Sequence, residues 1–183
     1  MKIPFAAYAD DCTVSGGVAI DTDRLSDMLS ATEEFEIDGA AFTALDDGRV
    51  VEAGTTAICL DDLCVIAATG PRGNQERRLW TRQVPVRARI GPYSVVGYLH
   101  SAPTIDPFKS AERRQIVALT AATIEYTMDG HVAREHSDAV LLNRVRIDRL
   151  EPANEAEVQL SRGLDLQAAV DARSKDMTSD LFD

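Results

Sequence analysis

Three cysteines are the residues of this sequence with the most obvious chemical potential. Cys59 and Cys64 flank Asp61-Asp62, with Cys12 as a possible neighbour, and this spacing suggests a zinc or redox site. A structural zinc site normally takes four Cys or His ligands, however, and no histidine precedes His100. We therefore expect the cysteines to be small buried hydrophobic residues, with no metal and no cofactor.

Histidine-based catalysis is the second possibility. His100, His131 and His136 could each act as a base, with Asp129 or Glu135 as the orienting carboxylate. His131 follows an Asp-Gly turn and His136 lies in a polar connection, where histidines are more often passive. The sequence also contains no nucleophile elbow and no glycine-rich phosphate loop. It therefore favours a protein that is not an enzyme, with a pocket near His100 or His136 as the alternative.

Paired acids occur at Asp10-Asp11, Asp46-Asp47 and Asp61-Asp62 and could indicate calcium binding or acid–base chemistry. At least two of these pairs fall between predicted strands. Aspartate is common in tight turns because its side chain hydrogen-bonds the nearby backbone. We interpret the pairs as turns.

The most informative stretch is PRGNQERRLWTRQVPVRARI at residues 71–90. Its candidate interaction residues are Arg77, Arg78, Trp80, Arg82, Arg87 and Arg89. Arginines could bind phosphates while the tryptophan stacks on a base, which would give a nucleic-acid or anion groove. Arginine and tryptophan are also enriched at protein interfaces, so a protein partner is the other interpretation. A solvated charged surface without a partner is the third.

Charge is distributed unevenly along the 183 residues. Residues 1–70 hold 14 acids and 3 bases, residues 71–150 hold 8 acids and 13 bases, and residues 151–183 hold 8 acids and 3 bases. The net charge of −11 makes nucleic acid an improbable partner for the whole chain. The acidic and basic parts instead suggest head-to-tail contact, within one chain or between chains.

The sequence also contains an internal similarity that predicts a tandem repeat. At an offset of 81, Gly16 aligns with Gly97; at an offset of 82, Leu60 aligns with Leu142 and Leu63 with Val145. The alternation of apolar and polar residues in each copy predicts five strands, with a short helix after the second strand. Gly16 and Gly97 suit a bend or bulge.

These elements predict a mainly β fold made of two tandem small five-stranded β-barrels. The expected boundaries are 1–70 for an acidic first barrel, 71–152 for a basic second barrel and 153–183 for a partly ordered acidic tail. In the first copy a helix is expected from about Asp23 to Thr32, with Thr22 or Asp23 as its N-cap and Leu25, Met28 and Leu29 on one face. Barrel closure is favoured because it removes exposed edges.

The glycine in strand two, IVALTAATI in strand three and the closing VLLNRVRIDRL resemble the Sm-like and SH3-like small β-barrels. They are also similar to an uncharacterised bacterial domain family with a GxLH, LTxAxI and LxNRxxI pattern. The second copy fits this resemblance best. Sm-like proteins would imply RNA binding through a ring of subunits, but the resemblance extends only to the fold here, and no functional residue is carried over.

The remaining features concern location and partners. The N-terminus is too short for a secretory signal, and no apolar stretch approaches the roughly 18 residues of a membrane helix, so we expect a cytoplasmic protein with no membrane partner. Leu181 and Phe182 form an apolar tip on the acidic tail that could dock on a partner. We predict a non-enzymatic protein–protein interaction or assembly module that self-associates as a homo-oligomer. The alternative is an RNA- or anion-binding module that acts through the basic second copy.

Overall fold

The computed structural model describes residues 1–71, 80–161 and 163. The strands are β1 Lys2–Ala9, β2 Cys12–Ala19, β3 Glu34–Ala44, β4 Val50–Cys59, β5 Leu63–Ala67, β6 Arg82–Ile90, β7 Tyr93–Ser101, β8 Ile116–Met128, β9 His131–Asn143 and β10 Arg149–Pro152. Helix α1 is Leu25–Ala31, helix α2 is Pro107–Glu112, and α3 covers residues 155–161. Short 3-10 turns at Leu60–Asp62 and Arg144–Arg146 precede β5 and β10. None of the helices in these ranges has the length and apolar character needed to cross a membrane.

All ten strands belong to one open antiparallel sheet with the order β10-β6-β7-β8-β9-β5-β1-β2-β3-β4. The prediction of a mainly β protein is confirmed, and each five-strand set has its helix after the second strand. Two closed barrels are not confirmed, because the sheet does not close. Instead β5 pairs with β9 from the other half of the chain, from Val65↔Leu142 to Ala67↔Val140.

The first five and the last five strands nevertheless have the same order and the same residue pairing. Pro4 pairs with Gly17 in β1–β2, and Pro85 pairs with Tyr98 at the matching place in β6–β7. The pairing of β2 with β3 shifts next to Gly16, and the pairing of β7 with β8 shifts next to Gly97. The bulges predicted at these two glycines are therefore confirmed. We refer to β1–β5 as the first half and to β6–β10 as the second half.

The correspondence differs from the sequence alignment in the last two strands of each half. Leu63 corresponds to Ile147 rather than to Val145, because each of the two donates its N–H to the first residue of the preceding 3-10 turn. The pairs Phe35↔Ile58 and Val117↔Leu142 give the same result. The offset here is 84 rather than 82 since β8 and β9 are 13 residues long each, against 11 and 10 for β3 and β4.

The core has two clusters of buried residues, and each draws side chains from both halves. The first cluster surrounds Leu29 and Ile37 and includes Ile116 and Leu141 from the second half. The second surrounds Ile124 and Leu142 and includes Tyr8, Cys64 and Val65 from the first half. The boundaries proposed at residues 70 and 152 stay predictions, but the two halves share their cores.

Helix α1 buries Leu25, Met28 and Leu29, as its sequence pattern predicts. Its N-cap is Arg24, which makes no capping hydrogen bond with its side chain, and not Thr22 or Asp23. The Thr22 hydroxyl instead donates to the Arg24 carbonyl at 2.7 Å. Helix α2 begins with a stronger cap, since the Asp106 carboxylate accepts the N–H groups of Phe108 and Lys109.

Candidate interaction site

Three tyrosines connect the two halves inside the protein. The rings of Tyr8 on β1, Tyr93 on β7 and Tyr126 on β8 pack edge to face, with centroids 5.5 to 5.8 Å apart. The Tyr93 hydroxyl donates to the Ala9 carbonyl at 2.5 Å. The Tyr8 hydroxyl donates to Glu135 at 2.7 Å, and the Tyr126 hydroxyl donates to the other oxygen of that carboxylate. Burial, followed by the hydrogen bond to Glu135, raises the pKa of both Tyr8 and Tyr126 well above the ordinary value, so they stay protonated donors.

A second polar contact between the halves involves Asp10, Cys64 and Arg146. The Cys64 thiol donates to one Asp10 oxygen at 3.3 Å, and the Arg146 guanidinium donates to the other. The hydrogen bond from Arg146 lowers the pKa of Asp10. Burial, and then the hydrogen bond to Asp10, raises the pKa of Cys64 to about 11. Because the thiolate is the reactive form of cysteine, Cys64 is a poor nucleophile at neutral pH and contributes mainly to packing.

The strand pairing that joins the halves is completed by one buried side chain. Asn143, at the end of β9, is 1% exposed, and its amide donates to the Leu60 carbonyl at 3.0 Å. At the other end of the pairing, the Ala68 N–H donates to the Ala139 carbonyl at 2.9 Å. The end of β9 therefore holds both the first 3-10 turn and β5 in place.

The two terminal strands of the sheet each have an open edge. Within residues 1–71 and 80–161, β4 pairs only with β3, and β10 pairs only with β6. The side chains near the two edges differ in charge. Glu34, Glu36 and Glu52 are exposed on β3 and β4, whereas Arg144 and Arg149 lie at β10. Two apolar side chains are also exposed at the start of β4, Val50 by 57% and Val51 by 51%.

Two cavities lie in the second half. One of about 310 Å³ is lined by residues at the ends of β6 to β9, including Arg89, Tyr93, Glu125 and Val132. The other, of about 120 Å³, lies between α2 and β10; its lining residues are Phe108, Glu112, Arg144, Ile147, Asp148, Arg149 and Leu150. Only the second cavity adjoins an open edge of the sheet.

The structure separates the interaction residues that the sequence placed together. Trp80 is 78% exposed next to Arg82, whose guanidinium donates to the Ile105 carbonyl at 3.2 Å. Arg89 lies at the other end of β6 in the wall of the larger cavity. Arg87 forms an ion pair with Glu157 at 3.0 Å and so holds α3 against β6. Arg77, Arg78, Leu181 and Phe182 lie outside the described residues.

The histidines do not assemble a catalytic arrangement around either cavity. His100 lies between the hydroxyls of Thr81 and Thr120, 3.0 and 2.7 Å from its two ring nitrogens, and its burial lowers its pKa. His136 belongs to β9, opposite Thr123, and not to a connection as the sequence predicts. Neither cavity is lined by a histidine. In the part of the chain that the structure describes, no group of three or more His, Cys, Asp or Glu residues could hold a metal ion.

The sequence analysis missed the residues that join the halves. Tyr8 and Glu135 are 127 positions apart, so their spacing carries no local signal. Asn143 does carry one, because it is a polar residue at the end of the apolar run AVLL. A buried amide at the end of a strand is a reasonable indication of a specific hydrogen bond to another segment.

Comparisons of the chain with protein-family models, with curated proteins and with solved structures found no match. The resemblance to Sm-like and SH3-like barrels therefore stays a prediction. The functional inference below is drawn from the sheet, its edges and their charges.

Proposed function

We propose that this protein is a non-enzymatic assembly module that self-associates through the two ends of its sheet. The observation that supports this proposal best is the pair of open edges with opposite charge. β4 has exposed acids beside it, and β10 has Arg144 and Arg149. An edge strand presents unpaired N–H and C=O groups, which makes it a template for another strand.

The β4 edge has few features that would prevent such pairing. Natural edge strands are usually short or carry lysines, prolines or inward-pointing charges. β4 is ten residues long, contains no proline and has Glu52 as its only charged residue. Its bulge at Gly54, which has a φ of +65°, lies away from the regular stretch that ends at Cys59. That stretch is available to a partner strand.

Opposite charge favours a head-to-tail arrangement over pairing of like ends. Complementary charges orient two partners and raise their association rate, while like charges disfavour the wrong pairing. A head-to-tail contact uses different surfaces on the two copies, so it produces either a closed ring or an open chain of copies.

We expect size-exclusion chromatography with light scattering to give a mass above the 19.9 kDa of one chain. The mass should increase with concentration at about 50 mM salt and decrease at about 500 mM, where the Debye length is only a few ångströms. A monomer at every concentration and salt level would contradict the proposal.

A second candidate function is supported by the exposure of Trp80 beside Arg82. An exposed aromatic ring next to arginines can stack on the bases of a single-stranded nucleic acid. Trp80 is the one tryptophan in the chain, so its fluorescence reports contact directly. If this function is correct, poly(U) should quench the fluorescence at about 50 mM salt and not at about 500 mM, and replacing Arg77, Arg78 and Arg82 with glutamate should abolish the quenching. Unchanged fluorescence at low salt would exclude it.

A further inference from the structure

The contact between the two halves shows how a second copy of the chain can bind. We propose that the β3–β4 edge of one copy docks onto β10 and the adjoining cavity of a second copy, in the same register that β9 adopts on β5. This inference rests on the proposed function, since it specifies the partner and the pairing of the self-association. It follows from comparing equivalent positions in the two halves.

In the first half, the space beside β5 is filled by the second half. Met28 on α1 and Leu63 and Ile66 on β5 are all buried in the first core cluster. Ile116 from β8 and Leu141 from β9 belong to the same cluster, and Leu141 pairs directly with Ile66. The β8–β9 edge therefore covers the side chains of α1 and β5.

In the second half, the equivalent space is open. Ile147 and Leu150 correspond to Leu63 and Ile66, and Phe108 on α2 corresponds to Met28 in the sequence alignment of the two helices. All three are only half-buried, and all three line the cavity of about 120 Å³. Nothing in the described residues takes the place that Ile116 and Leu141 occupy in the first half.

The side chains that would fill this space are exposed at the other end of the same sheet. Glu34 and Glu36 on β3 correspond to Ile116 and Ala118, and Ala57 on β4 corresponds to Leu141. These three residues are exposed. The apolar contacts of the inner junction are thus replaced by two glutamates on one surface and by Arg144 and Arg149 on the wall of the other. The two surfaces are complementary in charge as well as in position.

The equivalence also predicts the residue pairing. The inner pairs Val65↔Leu142, Ile66↔Leu141 and Ala67↔Val140 become Arg149↔Ile58, Leu150↔Ala57 and Glu151↔Thr56 between copies. Pro152 takes the place of Ala68, whose N–H donates to Ala139 in the inner junction. Because proline has no N–H, the pairing between copies ends one hydrogen bond earlier.

Symmetric pairing of β4 with β4 of a second copy is the main alternative. That arrangement would bring Glu34, Glu36 and Glu52 of both copies onto neighbouring strands, where like charges repel. It would also leave the cavity beside β10 unfilled. The head-to-tail arrangement is therefore favoured on both counts.

The register is tested by disulfide cross-linking. In a Cys59→Ser background, Thr56→Cys and Glu151→Cys introduce cysteines at a pair predicted to be directly opposite, where side chains lie close enough for a disulfide. Mild oxidation should give covalent dimers and higher species on a non-reducing gel. The matched control, Thr56→Cys with Arg149→Cys, places the second cysteine on the same face two residues away and should cross-link at least fivefold less.

Charge reversal tests the two surfaces independently of the register. Glu34→Arg with Glu36→Arg, or Arg144→Glu with Arg149→Glu, should each raise the concentration needed for association at least tenfold. Combining all four changes in one chain should restore association, because the complementary charges are exchanged. Asp21→Arg with Asp23→Arg, which lie outside β3 and β4, is the control for net charge and should leave association unchanged.

The outcomes separate the two proposals. Association without the 56–151 cross-link, or a disulfide formed only within one chain, would overturn the register while leaving self-association intact. Full association of the Arg144→Glu, Arg149→Glu variant would indicate symmetric β4 pairing and would also overturn this inference. No association of the wild-type chain would refute both proposals.

Discussion

Replacement of Gly16 by alanine is expected to lower the free energy of unfolding by about 2 to 3 kcal/mol, the range typical of overpacking a core. A Cβ atom at this position would lie 2.5 Å from Cγ2 of Ile37 and 3.0 Å from the Asp38 carbonyl oxygen. Ile37 is completely buried, so it has no free space into which it can move. The bulge must therefore shift, together with the pairing of β2 and β3 that depends on it.

The neighbouring glycine provides the matched control. A Cβ atom on Gly17 would meet only the flexible end of the Lys2 side chain, which is 59% exposed and can move aside. Gly17→Ala should therefore change stability by less than about 0.5 kcal/mol. Urea denaturation of the two variants measures the difference, and equal midpoints would show that the close contact at Gly16 is not as described.

Alkaline pH is expected to destabilise the protein steeply. Burial raises the pKa of Tyr8 and Tyr93 well above that of an unfolded tyrosine and raises the pKa of Cys64 to about 11. The unfolded chain loses these protons from about pH 9 to 10 onward, while the folded chain keeps them. The resulting stabilisation is complete below about pH 8.5 and is lost as the pH rises through the folded pKa values. At about 1.4 kcal/mol per group and pH unit, the loss between pH 8.5 and 11 is on the order of 4 kcal/mol.

Urea midpoints measured from pH 7 to 11 test this expectation. Tyr8→Phe removes one of the retained protons, so above pH 10 its stability should decline less steeply than that of the wild type. The variant also loses the hydrogen bond to Glu135 and should be less stable at pH 7. A wild-type stability that stays constant up to pH 11 would show that the tyrosines are accessible to solvent.

The local features of the fold could be predicted from the sequence because they depend on nearby residues. Alternating residues in VPVRARI predict β6, and Gly16 and Gly97 predict the bulges in β2 and β7. The pairing of β5 with β9 could not be predicted in this way. A strand in a five-strand set can close its own barrel or join the neighbouring set, and this choice depends on three-dimensional contacts such as Asn143 with Leu60. The expectation of two closed barrels did not include that second possibility.

The proposed contact surface was only partly visible in the sequence. The acidic and basic parts of the chain predict a head-to-tail contact but not its position. The position depends on an offset of 84 residues, which places Glu34 and Ala57 where Ile116 and Leu141 lie in the other half. The alignment at 82 residues cannot reveal this exchange of apolar for acidic residues, because the longer hairpin of β8 and β9 shifts the later strands by two positions.

The covering of β5 by β9 has a consequence for synthesis on the ribosome. When Ile66 has emerged, Leu141 is still 75 residues from being translated. At typical elongation rates of about 5 to 20 residues per second, the apolar side of β5 waits roughly 4 to 15 seconds for its cover. During that interval the nascent chain exposes the surface that β9 later occupies, which makes it a natural binding site for a chaperone.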